Sequence, residues 1–291
     1  MRSTGRRSRP SVAALALLLL ASAPVARPMA AAEPVDRLPD LAMARPTDMR
    51  LVTSTDGRRR LRFTSSIVNI GDGPFETRAS RRSVRQPSMT VKQRIYDTSG
   101  DYRVVATKAI ATYSGDGHDH WHVQRVAGYT FHDVTAGLTV ARGSKVGFCF
   151  FDTRPYRLTL PHAPGSRRYS QSGCGTQRSY ALRNGISVGW ADRYGWNLRY
   201  QAIDVTGLPA GDYFLKVAAD PGGLFVERTP ANNCNWTRIR LPATGSRVAI
   251  LGWGPGCVLP SMPPAPTPTP TPTPTPMPTV TPVPTPPAGP P

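Results

Sequence analysis

The chain has 291 residues and a formal net charge of +18, and the roughly 225 residues between its two ends are enough for one domain with its own core. Its basic residues are mostly arginines, spread along the chain without interleaved aromatic residues, so no nucleic-acid groove and no nucleic-acid partner are expected. The charge instead predicts attraction to polyanions, such as acidic envelope or matrix polymers.

Residues 1–32 are typical of a secretory signal peptide. Arginines near the start precede an apolar run from Val12 to Ala23, which is too short for a comfortable membrane span. Small residues before Glu33 offer a cleavage site. A twin-arginine signal at Arg6-Arg7 is the alternative, although the apolar residues that normally follow such a pair are absent. We expect a secreted or cell-envelope protein without a transmembrane segment.

Residues 33–259 predict an all-β domain. Turn signals such as Asp56-Gly57 and Gly71-Asp72-Gly73-Pro74 separate segments that alternate or are rich in β-branched residues, and no segment has a convincing helical period. The segments are RRLRFTSSIVNIG, YRVVATKAIATY, VGFCFFDT, QAIDVTGLPAGDYFLKVAAD and TRIRLPATGSRVAILGW. We expect a β-sandwich with long connections and little helix.

Residues 260–291 are a Thr-Pro repeat. Each proline fixes φ and lacks an N–H group, and nothing in the repeat builds a core. The repeat therefore predicts a stiff, extended spacer in the polyproline II conformation.

The cysteines are even in number, and the chain is expected to be exported, so two disulfides are expected. Buried thiols are the alternative, and a CxxC metal site is not available at these spacings. The cysteines are Cys149, Cys174, Cys234 and Cys257.

Three of the five histidines lie within five residues of each other, in SGDGHDHWHVQ. Because residues i, i+2 and i+4 of a strand share a face, His118, His120 and His122 would project the same way, while Trp121 would pack in the core. A straight strand separates the outer two by about 13 Å, so a bend is needed, and the two glycines just upstream permit one. Neutral imidazoles suit Zn(II) or Cu(II), and spacing does not choose between them. A solvent-facing or pH-sensitive histidine patch is the alternative.

Beyond these patterns, the sequence resembles the catalytic domain of the lysyl oxidase family. The resemblance runs from Leu38 to Cys257 and covers nearly the whole predicted domain. It is carried by five segments in the family's order, namely LRFTSSIVNIG, HDHWH, SKVGFCFFDT, DRYGWNLRYQAIDVTGLPAGDYFLKV and ERTPANN. It implies an all-β domain of the lysyl oxidase catalytic type.

The resemblance also implies a copper-dependent amine oxidase. His118, His120 and His122 match the copper ligands, and Lys145 and Tyr194 match the residues of the lysine tyrosylquinone cofactor. In the family, copper and O₂ oxidise the tyrosine ring to a quinone, to which the lysine amine adds. Phenol oxidation favours a redox metal over zinc, and arginine cannot replace lysine as the nucleophile. The implied reaction converts primary amines, either small amines or peptidyl lysine, to aldehydes with release of H₂O₂ and ammonia.

The resemblance further implies the disulfide pairing. Cys149 is expected to pair with Cys174, and Cys234 with Cys257. The first bridge would brace the loops that carry the lysine and the tyrosine of the cofactor.

The general base is less directly indicated. Asp192 lies two residues before Tyr194, and the two side chains would share one face of an extended segment, so Asp192 is the candidate. A turn-capping aspartate beside Arg193 is the alternative. Animal members have a histidine a little beyond the copper motif where this chain has Tyr129, and His132 is out of register, so a base role does not carry over to that position.

Two other functional classes stay open. One is a secreted copper- or zinc-binding module without turnover, and the other is a zinc-dependent hydrolase that uses the three histidines. The substrate also raises a difficulty, because a strongly basic protein repels a cationic amine unless its site holds local negative charge. A small amine, or a lysine on an otherwise acidic protein, is easier to reconcile with this charge.

Overall fold

The structure is a computed structural model that describes residues 32–114, 119–143, 145 and 147–260. The chain divides between Pro34 and Val35, and the fold described below belongs to the C-terminal unit. The signal peptide predicted for 1–32 and the Thr-Pro spacer predicted for 260–291 lie almost entirely outside the described residues and stay predictions. Within the described ranges, no helix is both long and apolar enough to cross a bilayer.

The described residues form 18 β-strands and two short 3₁₀ helices, so the prediction of an all-β domain with little helix is confirmed. The helices span Gln171–Cys174 and Pro230–Asn232. The strands are β1 (Asp36–Arg37), β2 (Leu41–Met43), β3 (Thr47–Thr53), β4 (Arg59–Asn69), β5 (Phe75–Ser80), β6 (Ser88–Asp97), β7 (Tyr102–Tyr113), β8 (Trp121–Gln124), β9 (Ala127–Asp133), β10 (Thr139–Arg142), β11 (Gly147–Phe148), β12 (Arg154–Pro155), β13 (Ala181–Ile186), β14 (Trp190–Tyr194), β15 (Ala202–Asp204), β16 (Gly211–Ala219), β17 (Cys234–Leu241) and β18 (Ala249–Pro255).

The strands are arranged in three antiparallel sheets. The first sheet has the order β11-β8-β7-β6-β5-β13, with β1 also paired to β6. The second has the order β10-β9-β16-β17-β18. The third has the order β12-β14-β4-β15, and β2 and β3 also pair with β4. The long strand β4 therefore organises the third sheet, because one half of it pairs with β3 and β15 and the other half with β2 and β14.

The three sheets share one hydrophobic core. Phe75 of the first sheet, Phe131 of the second and Phe63 of the third are all fully buried in it. Burying a phenylalanine side chain stabilises the folded state by about 1.5–3 kcal/mol. The sheets also meet through aromatic contacts, such as the edge-to-face pair of Phe63 and Tyr129 with ring centroids 5.1 Å apart.

Two predicted strands are shorter than the sequence suggests. Among the described residues of VGFCFFDT, only Gly147–Phe148 joins a sheet, because the chain then turns inward, with Cys149 in a disulfide and the Phe150 ring packed 5.0 Å from that of Phe75. In the histidine motif, β8 begins only at Trp121, and His120 lies in the bend before it. The regular strand predicted through all three histidines is therefore confined to its C-terminal end among the described residues.

Candidate functional site

The described histidines of the motif converge. His122 lies on β8, opposite Thr112 of β7, and is 6% exposed. Its Nε2 atom is 3.0 Å from Nε2 of His120. Trp121 points the other way into the core, as predicted, and its indole N–H donates to the carbonyl of Thr176 at 2.8 Å. His118 and the upstream glycines lie outside the described residues, so a third ligand at His118 stays a prediction.

The separation of the two imidazole nitrogens is compatible with a shared metal ion and with a direct hydrogen bond. A metal about 2.0–2.1 Å from each nitrogen fits between atoms 3.0 Å apart. The same separation also suits a hydrogen bond between two neutral rings. Within the described ranges, no group of three His, Cys, Asp or Glu side chains is placed to hold a metal, so a complete site needs a ligand from outside them.

Lys145 and Tyr194 are neighbours in space although they are far apart in sequence. The Nζ atom of Lys145 is 5.2 Å from the ring centroid of Tyr194 and 5.0 Å from that of Phe148. Lys145 is 6% exposed and Tyr194 is 8% exposed. Lys145 lies between β10 of the second sheet and β11 of the first, and β14 of the third sheet carries Tyr194, so elements of all three sheets position the two residues.

Two contacts fix the position of Tyr194, one at its ring and one at its hydroxyl. Its ring packs edge-to-face against Phe148, with centroids 4.9 Å apart. Its hydroxyl donates to the carbonyl of Cys149 at 2.9 Å. Burial, reinforced by the nearby carboxylate of Asp192, raises the pKa of the Tyr194 phenol well above its ordinary value, so the phenol is neutral.

Asp192 lies inside strand β14 and not in a turn. It is 1% exposed, and its Oδ2 atom has no hydrogen-bond partner among the described residues. Burial raises the pKa of Asp192 well above the ordinary aspartate value, although the Tyr194 hydroxyl and the Lys145 charge oppose that shift. A buried carboxylate with a spare oxygen beside the lysine and the tyrosine is well suited to accept a proton.

Phe148, which the sequence does not single out, connects the histidine strand to the tyrosine. In the ladder between β8 and β11, Phe148 pairs with Val123, which is the residue after His122. Its ring contacts Tyr194 of the third sheet and lies 6.3 Å from Tyr129 of the second. Residues from all three sheets therefore meet at Phe148.

Two glycines flank the lysine loop for steric reasons. A Cβ atom on Gly143 would approach Cβ and Cδ2 of Tyr129 to 2.8 Å, and one on Gly147 would approach Cβ of His122 to 2.9 Å. Side chains do not normally tolerate such distances, so both positions require a glycine unless the neighbours shift. The close approach at Gly147 also shows that β11, which follows the lysine in the chain, packs directly on the histidine strand.

Tyr129 belongs to a buried polar network and is not placed as a base. Its hydroxyl is 2.7 Å from Oγ of Ser65, which also accepts a hydrogen bond from Nε2 of Gln201 at 3.1 Å. Burial raises the pKa of Tyr129 to about 12. Ser65 lies opposite Tyr194 in the β4–β14 ladder, so this network supports the wall behind the tyrosine.

A cavity of about 610 Å³ reaches Lys145 from the surface. Its walls include the apolar ring of Phe225 and the Cys234–Cys257 disulfide. Two buried carboxylates, Asp220 and Glu227, also line the cavity. Burial raises the pKa of Glu227 to about 7. Sequence patterns do not indicate this cavity, because its walls come from distant strands and loops.

Both predicted disulfides are confirmed, Cys149–Cys174 and Cys234–Cys257. They close chain segments of similar length, with sequence separations of 25 and 23 residues. Of the two bridges, only the first is hydrogen-bonded to Tyr194, whose hydroxyl donates to the Cys149 carbonyl. The two bridges therefore form a matched pair for experiment.

Replacing Cys149 and Cys174 together by serine is expected to lower the free energy of unfolding by about 2–5 kcal/mol and to reduce the yield of any Lys145–Tyr194 cross-link. Replacing Cys234 and Cys257 is expected to cost a similar free energy and to leave that yield unchanged. Denaturant titration and peptide mass spectrometry measure the two effects. Equal losses of cross-link in both double variants would show that the first bridge has no special role.

Comparison with known proteins places the chain among lysyl oxidases. The lysyl oxidase family model matches residues 93–251. Lysyl oxidase homolog 3A of Danio rerio is 30% identical over 183 residues, which are 61% of this chain and 19% of that protein. Lysyl oxidase homolog 4 of Mus musculus is 29% identical over 197 residues, which are 66% and 20%. Lysyl oxidase homolog 3 of Homo sapiens is 28% identical over 183 residues, which are 61% and 19%. The chain thus spans about a fifth of the length of these relatives.

Proposed function

Because this chain belongs to the lysyl oxidase family, we propose that it is a secreted, copper-dependent amine oxidase that converts primary amines to aldehydes with release of H₂O₂ and ammonia. The observation that carries the proposal is the placement of the Lys145 amine 5.2 Å from the Tyr194 ring, with both residues buried. A binding module without turnover would use this pair only as an ordinary cation–π contact, whereas the cofactor needs both side chains at this place. The two disulfides support an oxidising, extracytoplasmic location.

In this proposal His118, His120 and His122 hold the copper ion, and Lys145 and Tyr194 form the lysine tyrosylquinone. The 3.0 Å separation of the two described imidazole nitrogens supports the copper ligands. Copper supplies the one-electron chemistry with O₂ that oxidises a phenol, and the quinone supplies an electron sink for the substrate amine.

The chain's own contribution to cofactor formation is positional. The Tyr194 ring is fixed by its edge-to-face contact with Phe148 and by its hydrogen bond to the Cys149 carbonyl. These contacts keep the ring near the lysine amine. The lysine must lose a proton before its nitrogen can form a bond to carbon. We assign the acceptance of that proton to Asp192, because the charge of Lys145 lowers the pKa of this carboxyl group against the effect of burial.

Asp192 is also our candidate for the base that removes the α-proton of the substrate amine. Its raised pKa makes its ionised form a stronger base than an ordinary aspartate. The orphaned Oδ2 atom is available for this task, since no donor among the described residues occupies it.

The cavity that reaches Lys145 supports a substrate with an apolar arm and a terminal amine. Its volume of about 610 Å³ accommodates a lysine side chain or a small alkylamine. Burial raises the pKa of both Asp220 and Glu227, that of Glu227 to about 7, so above neutral pH their ionised forms supply the local negative charge that a protein of net charge +18 needs to admit a cation. Lys216 lines the same cavity and opposes them, so we expect a single-charged amine to be preferred over a polyamine.

The decisive experiment is a peptide map of the protein secreted aerobically with copper. After reduction and proteolysis, mass spectrometry is expected to find one species that joins the Lys145 peptide to the Tyr194 peptide, with one oxygen gained and hydrogens lost. Two separate, unmodified peptides in a protein that binds copper would overturn the oxidase proposal and leave a metal-binding module. Turnover that requires zinc, with unmodified peptides, would favour a hydrolase.

Replacement of Asp192 by asparagine is expected to lower kcat/KM for a primary amine by about 10²–10⁴-fold, the usual contribution of a general base. In the wild type, activity rises with pH as the carboxylate ionises, and the raised pKa moves this rise above the range of an ordinary aspartate. D192N is expected to lack that rise. Kinetics should be normalised to quinone content, and an unchanged pH profile in D192N would exclude Asp192 as the base.

A further inference from the structure

A second cavity, of about 380 Å³, lies away from the proposed catalytic residues. Its described lining includes none of His120, His122, Lys145, Tyr194 and Asp192, and the one histidine in that lining, His162, lies outside the histidine motif. Its lining includes three arginines, Arg37, Arg168 and Arg183, together with Tyr96 and Tyr169. Its volume is within the range of about 300–1,000 Å³ that is usual for sites that bind small molecules.

Two of these arginines have no partner in the described part of the chain. The side chains of Arg37 and Arg168 form no ion pair or hydrogen bond there, while the backbone N–H of Arg168 donates to Asp152 at 2.8 Å and fixes its position. A guanidinium presents five donors that match carboxylate, sulfate and phosphate groups. The two arginines therefore offer donors to a ligand in the cavity.

The third arginine belongs to a cluster in which positive charge is in excess. Glu76 is fully buried and forms ion pairs with Arg78 at 2.8 Å, Arg183 at 3.1 Å and Arg94 at 3.6 Å. One carboxylate cannot neutralise three guanidiniums. The hydroxyls of Tyr96 and Tyr169 also donate to Glu76, so this carboxylate has no capacity for a further cation.

The acidic residues in the cavity lining have other partners. Asp72 accepts a hydrogen bond from Nη1 of Arg228 at 3.0 Å. Asp97 accepts hydrogen bonds from the backbone N–H and the hydroxyl of Ser99, at 2.8 and 2.6 Å, and so closes a turn. Neither aspartate forms an ion pair with Arg37 or Arg168, and the positive charge of these arginines remains directed at the cavity.

The positive charge continues from the cavity across the outer face of the first sheet. Arg183 of β13 lies directly opposite Arg78 of β5, which lies directly opposite Lys92 of β6. Neighbouring strands are about 4.8 Å apart, so these side chains form a row with that spacing. Like charges in directly opposite positions are unfavourable without a counter-charge. Such a row suits a chain of regularly spaced anions better than an isolated ion.

We propose that this cavity and the row beside it bind an acidic polysaccharide, with one anionic sugar unit in the cavity. Arg37 and Arg168 bind its carboxylate, sulfate or phosphate group. Tyr96, Pro74 and Pro164 provide flat, partly apolar walls for a pyranose ring. The next units of the polymer lie along Arg183, Arg78 and Lys92. This site is independent of amine oxidation, and it would tether the protein to an acidic matrix or envelope polymer.

The test compares two adjacent arginines. Arg168→Ala removes a lining residue, whereas Arg167→Ala makes the same change of charge one position away, at a residue that does not line the cavity. Both residues are exposed, so both variants are expected to fold with an unchanged melting temperature. Binding to polygalacturonate, which carries only carboxylates, and to dextran sulfate, which carries only sulfates, is measured over a range of NaCl concentrations, and the two polymers distinguish a carboxylate from a sulfate as the preferred anion.

R168A is expected to weaken binding to the preferred polymer by about fivefold and to reduce the slope of log K against log salt concentration by about one. R37A should behave alike, while R167A should change neither quantity measurably. Equal losses for R167A and R168A would overturn the proposal, because they would indicate diffuse attraction. A single-stranded oligonucleotide that binds more tightly than either polymer, with the same loss in R168A, would also overturn it, because the partner would then be a nucleic acid.

Discussion

Replacing Lys145 by arginine is expected to abolish both the cross-linked peptide and amine oxidation. Arginine keeps its positive charge and the approximate length of the side chain, but its guanidinium does not deprotonate and cannot add to an oxidised ring. Loss of a residue that forms a covalent intermediate costs on the order of 10³-fold or more in kcat. The measurements are H₂O₂ release with a primary amine and the mass of the Tyr194 peptide.

Lys216 provides a matched control for this substitution. It lines the same cavity as Lys145, and it is one of only four lysines in the chain. K216R keeps the charge of the cavity wall, so it is expected to retain the cross-link and most of the activity. If K145R retains the cross-link, or if K216R loses it, the assignment of Lys145 is wrong.

Replacing Tyr194 by phenylalanine is expected to remove the quinone and to preserve the packing. The ring still contacts Phe148, but the hydroxyl that donates to the Cys149 carbonyl is lost. Losing a buried hydrogen bond of this kind costs about 1–3 kcal/mol in the free energy of unfolding. Oxidase activity is expected to fall to background, and the loss of visible quinone absorbance with a modest fall in melting temperature tests both expectations.

The control for this substitution is Tyr129, another buried tyrosine close to Phe148. Y129F loses the contact with Ser65 and is expected to cost a similar free energy. Because Tyr194 keeps its own contacts with Phe148 and with the Cys149 carbonyl in this variant, the quinone should still form. A quinone in Y194F, or its absence in Y129F alone, would require another tyrosine to be the precursor.

The regular part of the fold is predictable because its signals are local. YRVVATKAIATY corresponds residue for residue to β7, and RRLRFTSSIVNIG contains β4. The histidine motif is different, because its strand begins at Trp121, where pairing with β7 begins, and β11 pairs with it only from Val123. Pairing partners that are distant in sequence decide where such a short strand starts, and a period of two residues does not carry that information.

The candidate site also has a part that local sequence patterns predict and a part that only the structure reveals. Three histidines in five residues suggest a metal without any structure, whereas no local pattern distinguishes Lys145 or Tyr194 from an ordinary lysine and an ordinary aromatic residue. The family resemblance singles them out, and the structure supplies the surroundings. Phe148, Ser65 and the cavity with Asp220 and Glu227 become visible only when three sheets are assembled. The need for glycine at positions 143 and 147 likewise becomes visible only in the structure, where Tyr129 and His122 leave no room for a Cβ atom.

The proximity of Lys145 to Tyr194 also affects the stability of the domain against unfolding, because a bond between them would cross-link the chain. A bond between these side chains would close a ring of about 50 residues, and the Cys149–Cys174 bridge closes a smaller ring within it. Loop-closure entropy alone makes a ring of that size worth about 4 kcal/mol against unfolding. Thiol reductants open the inner ring and leave the outer one intact. The domain that has made its cofactor would therefore resist reductive unfolding more than the newly folded chain does.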